Sequence, residues 1–401
     1  MKNKNKRVVV GLSGGVDSSV AIFLLKKMGY QPIGVSLKFS VWHHKHNLCR
    51  ENLCCTNESF ALAKKLCQKL KVPYRIIDCQ KEFEKIVIDY FLEELEAGHT
   101  PNPCVVCNQK LRFPKLFEIA KKLGAAYVAT GHYARLRPND TKYTNVPELH
   151  EVSRTTEKHH PNYGTNQKFE SFACNSIFSS RFLLKARDKI KDQTYFLYTL
   201  KQNQLEKLIF PLSDLTKDEV RKIATKEKIQ YTKNESQDFC FVANHSLADF
   251  LKTKIGQKTG PIYNEKGQKL GQHQGLHFYT IGQRKGLSLG KPHWVYKIDK
   301  KNNLLFVTDN LKNKSLYQKE VYLKNYNFIN GIKPKKYLNV QVKCRSQQKL
   351  IKAKIIENNK KIRVVFAQPQ WGITPGQSCV FYQKNICLGG GVIEQSLTWK
   401  F

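Results

Sequence analysis

Acidic residues are scarce in this chain: 32 Asp and Glu stand against 68 Lys and Arg over 401 residues, a net charge of +36. Such a surplus favours a polyanionic partner, most simply nucleic acid. The Lys- and Asn-heavy composition also has a plainer source in genomic nucleotide bias. No apolar run is long enough to span a bilayer, and Met1-Lys2-Asn3-Lys4-Asn5-Lys6-Arg7 carries no apolar segment ahead of the first strand. The expectation is a cytoplasmic protein that is neither secreted nor membrane-bound. There is no strong internal repeat, no spaced Rossmann glycine triplet and no Lys-Ser/Thr pair of the Walker type, which sets aside two common nucleotide loops. Cys104-Val105-Val106-Cys107 has no second Cys-x-x-Cys to complete a zinc site. The twelve cysteines fall at irregular spacings. In an intracellular chain they point to thiols, metal ligands or redox chemistry rather than structural disulfides.

What is present begins at Val8-Val9-Val10-Gly11-Leu12-Ser13-Gly14-Gly15-Val16-Asp17-Ser18-Ser19. A β-branched run predicts a buried parallel strand, and a glycine pair turns the chain. A helix follows, with Val20, Ala21, Leu24, Leu25 and Met28 on one face and Gly29 placed to stop it. Such a turn aims backbone N–H groups and the positive helix end at one spot, which suits an anion. Ser13, Ser18 and Ser19 add hydroxyls. Asp17 would orient amides or help hold magnesium. The loop resembles the pyrophosphate loop, Ser-Gly-Gly-x-Asp-Ser, of enzymes that split ATP into AMP and pyrophosphate.

Strand and helix then alternate through Ile33–Phe39, Glu58–Leu70, Tyr74–Ile77, Glu82–Leu95, Phe113–Leu123 and Ala125–Ala129. This predicts an α/β fold with a doubly wound parallel sheet and ligands at the carboxyl ends of its strands. Residues 138 to 178 lose all periodicity and read as a disordered insertion; Cys174, His159 and His160 fall there. Order resumes at Phe182-Leu183-Leu184-Lys185. Thr216-Lys217-Asp218-Glu219 reads as a capped helix start. Glycine-punctuated segments after Cys240 predict a small β-rich unit, and the strands from about Leu311 onward predict a small antiparallel barrel. The expected units are 1–243, 244–310 and 311–401.

Two cysteine sites carry candidate chemistry. Thr100-Pro101-Asn102-Pro103-Cys104-Val105-Val106-Cys107-Asn108 is a proline-stiffened loop, with a helix expected after Arg112. A cysteine in such a turn can react as thiolate. Glu235-Ser236-Gln237-Asp238-Phe239-Cys240-Phe241 sets a second cysteine among aromatics. Zinc, an iron–sulfur cluster and redox chemistry all stay open for Cys-x-x-Cys. Cys49, Cys54 and Cys55 with His43, His44 and His46 lack the usual ligand spacing.

Taken in one order, the pyrophosphate loop, the Thr100–Asn108 segment, Ala129-Thr130-Gly131-His132-Tyr133-Ala134-Arg135, Lys191-Asp192-Gln193-Thr194-Tyr195-Phe196-Leu197, the segment around Cys240 and Tyr279-Thr280-Ile281-Gly282-Gln283-Arg284-Lys285-Gly286-Leu287 resemble the tRNA-specific 2-thiouridylase family. The resemblance runs from residue 8 to near the C-terminus, broken by 138–178. It implies an adenine-nucleotide α-hydrolase-like catalytic domain, a small central domain and a C-terminal barrel.

It further implies ATP as cofactor, held by Gly11, Leu12, Ser13, Gly14, Gly15, Val16, Asp17 and Ser18 with Leu37 and Gly131, and with magnesium accompanying it. Cys107 matches the family nucleophile and Cys240 the persulfide carrier. Asn102, Pro103 and Cys104 match the segment that meets the target base. His132, Lys191, Asp192, Gln193, Arg345, Ser346 and Gln377 match tRNA-contacting positions. The implied partners are tRNA and a sulfur-donor protein such as a cysteine desulfurase or relay protein. The implied reaction is adenylation of the wobble-uridine 2-oxygen followed by persulfide transfer, leaving a disulfide for later reduction. Cys104 stands where many members carry Asp, which creates a three-cysteine set suited to an iron–sulfur cluster as the alternative to the relay. Leu37 replaces an expected Met, a harmless apolar swap. An ATP-pyrophosphatase that amidates a small metabolite would share the loop but needs neither the two cysteines nor a basic barrel.

Overall fold

The computed structural model describes residues 6–42, 56–138, 181–232, 239–243, 246–332, 334, 336–358 and 361–394. The insertion read at 138–178 lies outside these apart from Pro138. Cys49, Cys54, Cys55, Cys174, Glu235–Asp238 and the histidines at 43, 44, 46, 159 and 160 lie outside them too.

The first sheet holds β1 (Arg7–Gly11), β2 (Gln31–Lys38), β3 (Tyr74–Asp78), β4 (Tyr127–Thr130) and the two-residue β7 (Leu208–Ile209) in the order β3-β2-β1-β4-β7. Every pair is parallel. Val8, Val9 and Val10 are fully buried because both faces of the central strand are covered. Val8 and Val10 join a core with α1 (Val16–Lys27), α2 (Asn57–Lys69) and α8 (Lys217–Lys226), while Val9 joins the core on the other face. That second core takes in Phe83, Phe91, Leu116 and Ile119 from α3 (Gln80–Phe83), α4 (Asp89–Glu96) and α6 (Phe113–Lys122). The sheet is thus doubly wound, as the alternation predicts.

α1 ends at Lys27 with Met28 as its cap, and Gly29 takes φ +78 as the helix stop. Met28 is exposed rather than on the buried face, since it stands past the last helical turn. Helix also begins earlier than expected in the cysteine segment. α5 (Pro103–Cys107) leads through a π-helical turn, Asn108–Arg112, directly into α6. Asn102 caps it, its Oδ1 accepting Val105 N–H at 3.3 Å, and Pro103 occupies the first helical turn, where a missing N–H costs nothing. Pro103, read as part of a stiff loop, starts the helix, and Pro101 stands just before its cap.

β5 (Arg135–Pro138) and β6 (Arg181–Leu184) form a hairpin that leaves the first sheet. After α7 (Gln202–Leu205), α8 and α9 (Leu247–Lys254) come β8 (Gly260–Tyr263), β9 (Lys269–His273), β10 (Trp294–Asp299) and β11 (Leu304–Thr308), which make a four-stranded sheet. β12 (Tyr317–Phe328), β13 (Tyr337–Lys343), β14 (Ile351–Asn358), β15 (Lys361–Trp371), β16 (Ser378–Gln383) and β17 (Ile386–Ile393) close into a six-stranded ring through the β12–β17 pairing. β17 also pairs with β6, so the hairpin joins the catalytic part to the barrel wall. Among the described residues no helix is long and apolar enough to cross a membrane.

Candidate active site

A cleft of about 1130 Å³ opens at the carboxyl ends of the parallel strands. At its floor, Ser13 and Ser18 define the loop. Ser13 N–H donates to Ser18 Oγ at 3.1 Å, and Ser18 Oγ donates to the Gly15 carbonyl at 3.1 Å. Gly15 caps α1 without a side-chain acceptor, so the amides of the first helical turn face the cleft uncapped. Gly14 has φ +78, and a Cβ there would sit 2.5 Å from the Ser59 carbonyl oxygen. Gly131 ends β4 so close to α1 that a Cβ would lie 2.7 Å from the Asp17 carbonyl carbon and 2.7 Å from the Ser18 amide nitrogen. Both glycines are required by space. Ser19 is buried within α1 and does not line the cleft, so its hydroxyl is not a loop donor.

Asp17 is engaged in a way the sequence did not suggest. Lys217 Nζ lies 2.8 Å from each of its carboxylate oxygens, and Tyr133 donates its hydroxyl to Oδ1 at 2.7 Å. Lys217 is almost wholly buried, with its ammonium also over the Tyr133 ring. The half-exposed Asp17 carboxylate offsets the cost of burying the Lys217 charge, which would be high alone. The pair places a lysine from 200 residues downstream beside a loop that has none of its own. Sequence reasoning saw Lys217 only as part of a helix cap. The cap is real, with Thr216 Oγ1 accepting Glu219 N–H at 3.3 Å, and it aims the first turn of α8 at the cleft.

The cysteines stand at the cleft's other side. Cys107 is buried in the last turn of α5, whereas Cys104 and Cys240 are half-buried, and all three line the cleft. Cys240 is anchored by its neighbours. Phe241 is fully buried against Phe83, Phe91 and Phe250, and Phe239 stacks on it at 5.8 Å. Burying one phenyl ring stabilises by about 1.5–3 kcal/mol, enough to fix the backbone beside Cys240. The stretch after α8 also reaches the loop, where Thr232 N–H donates to the Gly14 carbonyl at 3.1 Å.

All the remaining residues implied by the resemblance line the same cleft except Gly14 and Arg345. Gly14 packs behind the loop. Arg345 turns its Nη2 to the Gly372 carbonyl at 2.6 Å. Several of the positions that the resemblance matches to tRNA contact also build the wall. Gln193 Oε1 accepts Tyr133 N–H at 2.8 Å, Asp192 Oδ1 accepts Ala186 N–H at 3.1 Å, and Gln377 Nε2 donates to the Thr100 carbonyl at 2.9 Å. His132 meets Thr130 Oγ1 through Nδ1 at 2.7 Å. Burial, then the Arg112 charge, pushes its imidazole down to about 3, so it is neutral at pH 7. Ile190, at the rim beside Lys191, is 82% exposed.

The side chains do not build a metal cage. Among the described residues no group of three or more His, Cys, Asp or Glu converges on one point, and that includes Cys104, Cys107 and Cys240. Both Asp17 oxygens meet Lys217, so magnesium would reach this carboxylate only in competition with that ion pair.

Three family profiles match the chain. One described as a tRNA methyl transferase HUP domain covers residues 6–159 and 171–244, one described as a tRNA methyl transferase PRC-barrel domain covers 248–309, and one described as an aminomethyltransferase beta-barrel domain covers 318–393. The tRNA-specific 2-thiouridylase MnmA of Staphylococcus epidermidis is 36% identical, over 98% of this chain and 96% of that one. That of Clostridioides difficile is 37% identical, over 98% and 99%. That of Idiomarina loihiensis is 34% identical, over 99% and 98%. Among solved structures, the U34-tRNA thiolase NcsA from Methanococcus maripaludis with its 4Fe-4S cluster is 19% identical over 63% of this chain and 67% of that one. Its TM-score is 0.31. With identities of 34–37% along nearly the whole of both chains, this protein belongs to the tRNA-specific 2-thiouridylase family.

Proposed function

We propose that the protein thiolates the 2-position of the wobble uridine in tRNA, using ATP to activate the 2-oxygen and a persulfide to supply sulfur. One observation carries the reading: the pyrophosphate loop, the Asn102–Cys104 turn, Cys107 and Cys240 line a single cleft. The chain is read as a catalytic unit, 1–243, a central unit, 244–310, and a barrel unit, 311–401, acting on tRNA in the cytoplasm. A sulfur-donor protein of the desulfurase or relay kind loads Cys240.

In the first step the Ser13–Ser18 loop grips the β- and γ-phosphates through backbone N–H groups and hydroxyls. Lys217, held by Asp17, adds the positive charge that meets the departing pyrophosphate. The uridine 2-oxygen bonds to the α-phosphorus, and pyrophosphate leaves with the bond electrons. In the second step the outer sulfur of the Cys240 persulfide bonds to C2. Cys107 thiolate then attacks Cys240 Sγ, and the S–S electron pair passes to the sulfur on the base. AMP departs as the thiocarbonyl forms. A Cys107–Cys240 disulfide remains, for reduction by an external thiol. A uracil oxygen is a poor leaving group and AMP a good one, which is why the nucleotide and cysteine sites must share a cleft.

The test is to incubate purified protein with ATP, a persulfide donor and unmodified tRNA. Pyrophosphate release that needs tRNA, matched by 2-thiouridine in digested tRNA, supports the reading. Pyrophosphate release driven by a small amine instead would replace it with metabolite amidation.

A further inference from the structure

The segment Tyr279-Thr280-Ile281-Gly282-Gln283-Arg284-Lys285-Gly286-Leu287 plays no part in the reaction above, and none of it lines the cleft. It nevertheless touches Thr100 in the cleft wall and Gly372 of the barrel. The Thr280 hydroxyl hydrogen-bonds with the Thr100 hydroxyl. Thr280 is itself fixed by a tight turn, its N–H donating to Gln283 Oε1 at 3.0 Å and its carbonyl accepting Gln283 N–H at 3.0 Å.

Thr100 is the residue before Pro101-Asn102-Pro103-Cys104. Its N–H donates to the Pro375 carbonyl at 2.8 Å, and its own carbonyl accepts from Gln377 Nε2 at 2.9 Å. Every polar group of Thr100 is therefore held by the central sheet unit or the barrel, and none by the catalytic sheet. The prolines after it transmit that placement, since they leave the backbone little freedom to absorb an error.

Two residues beyond Thr280, Gly282 lies against Gly372 of the barrel. Both are left-handed, at φ +83 and φ +62, and a Cβ on Gly282 would come 3.4 Å from Gly372 Cα. Gly372 in turn seats Arg345, accepting its Nη2 through the carbonyl at 2.6 Å. Three consecutive residues of the central unit thus contact the base-meeting turn at one end and the seat of Arg345 at the other.

We propose that Thr280 and Gly282 are positioning residues that register the Asn102–Cys104 turn against Arg345, so that the base pocket takes its shape only when the central unit is seated. What the turn does with substrate rests on the thiolation reading. The registration itself does not.

Thr280→Val removes only the hydroxyl, and Thr280→Ser keeps it. A misplaced turn should lower kcat for thiolation about tenfold, with KM for ATP unchanged because the phosphate loop is untouched. The same variant, without substrates, should show faster iodoacetamide alkylation of Cys104 in peptide-resolved mass spectrometry. Thr280→Ser should restore both values. Thr100→Val removes the same bond from the other side and should match Thr280→Val, and the double variant should be no worse than either single one. It also stands in should Thr280→Val fail to fold. Wild-type kcat and alkylation in Thr280→Val, failure of Thr280→Ser to restore them, or multiplied losses in the double variant would overturn the proposal. A wild type that makes no thiouridine would fail the functional reading, while the alkylation comparison would still decide the registration.

Discussion

The two ends of the cleft are built in different ways. The nucleotide end comes almost entirely from one strand–turn–helix, β1 to α1, closed by Gly131 at the end of β4. The sulfur and base end is assembled from pieces far apart in the chain: the Asn102–Cys107 helix start, the Cys240 segment, and Gln377 and Ser346 from the barrel. The first end is rigid by local geometry. The second is set by docking of the central unit and barrel. The first end takes one distant partner, Lys217 on Asp17, whereas the assembled end answers to changes in residues that never touch substrate.

The largest effects should separate the two ends chemically. Cys107→Ser or Cys240→Ser should lower thiouridine formation by at least about a hundredfold, since a hydroxyl neither carries a persulfide nor attacks one. A single burst of tRNA-dependent pyrophosphate should survive in both, read by coupled phosphate assay. If thiouridine forms normally in either, the two ends are not linked by a cysteine relay.

Asp17→Ala or Lys217→Met should act on the nucleotide end alone. Loss of a preorganised charge on the leaving group predicts about a hundredfold lower pyrophosphate release, with tRNA affinity by filter binding unchanged. Lys217→Met should lose more than Asp17→Ala, because it removes the ammonium itself whereas Asp17→Ala only frees it from its seat. A large loss of tRNA binding in a folded Lys217→Met protein would move Lys217 to the other end of the cleft.

Salt should weaken the base end much more than the nucleotide end. Log affinity for tRNA should fall linearly with log salt concentration as basic side chains release counterions, and Arg345→Ala should lower affinity severalfold. A flat salt response would remove electrostatics from tRNA binding.

The smallest effect concerns His132, at the boundary of the two ends. Its folded imidazole titrates near 3 against 6.5 for the ordinary side chain, so between those values the unfolded chain binds a proton that the folded chain does not. Its contribution to stability is full above about pH 6.5 and is lost as the pH falls towards 3. His132→Gln should therefore show a shallower fall in urea midpoint between neutral and acid pH. An unchanged slope would mean that His132 is charged in the folded state.

Legibility in the sequence follows the same division. Gly14, Gly15, Asp17 and Ser18 could be read because strand, turn and helix are contiguous, and the parallel sheet followed from β-branched runs alternating with helices. Lys217 could not, because its partner Asp17 is 200 residues away and a lysine in a helix cap looks like surface. Thr280 was visible within a family motif, but its partner lies 180 residues off. The β5–β6 hairpin was hidden because its pairing strand β17 falls at the far end of the chain. The helix at Pro103 was missed for a local reason: proline before a cysteine pair reads as loop stiffening, while Asn102 in front of it is a capping signal.

The most direct test of a relay across one cleft is a single turnover without reductant, followed by non-reducing peptide mass spectrometry. Protein carrying persulfide on Cys240, given ATP and unmodified tRNA, should show a Cys107–Cys240 disulfide in step with the thiouridine formed. Thiouridine appearing while both cysteines remain reduced would contradict the account.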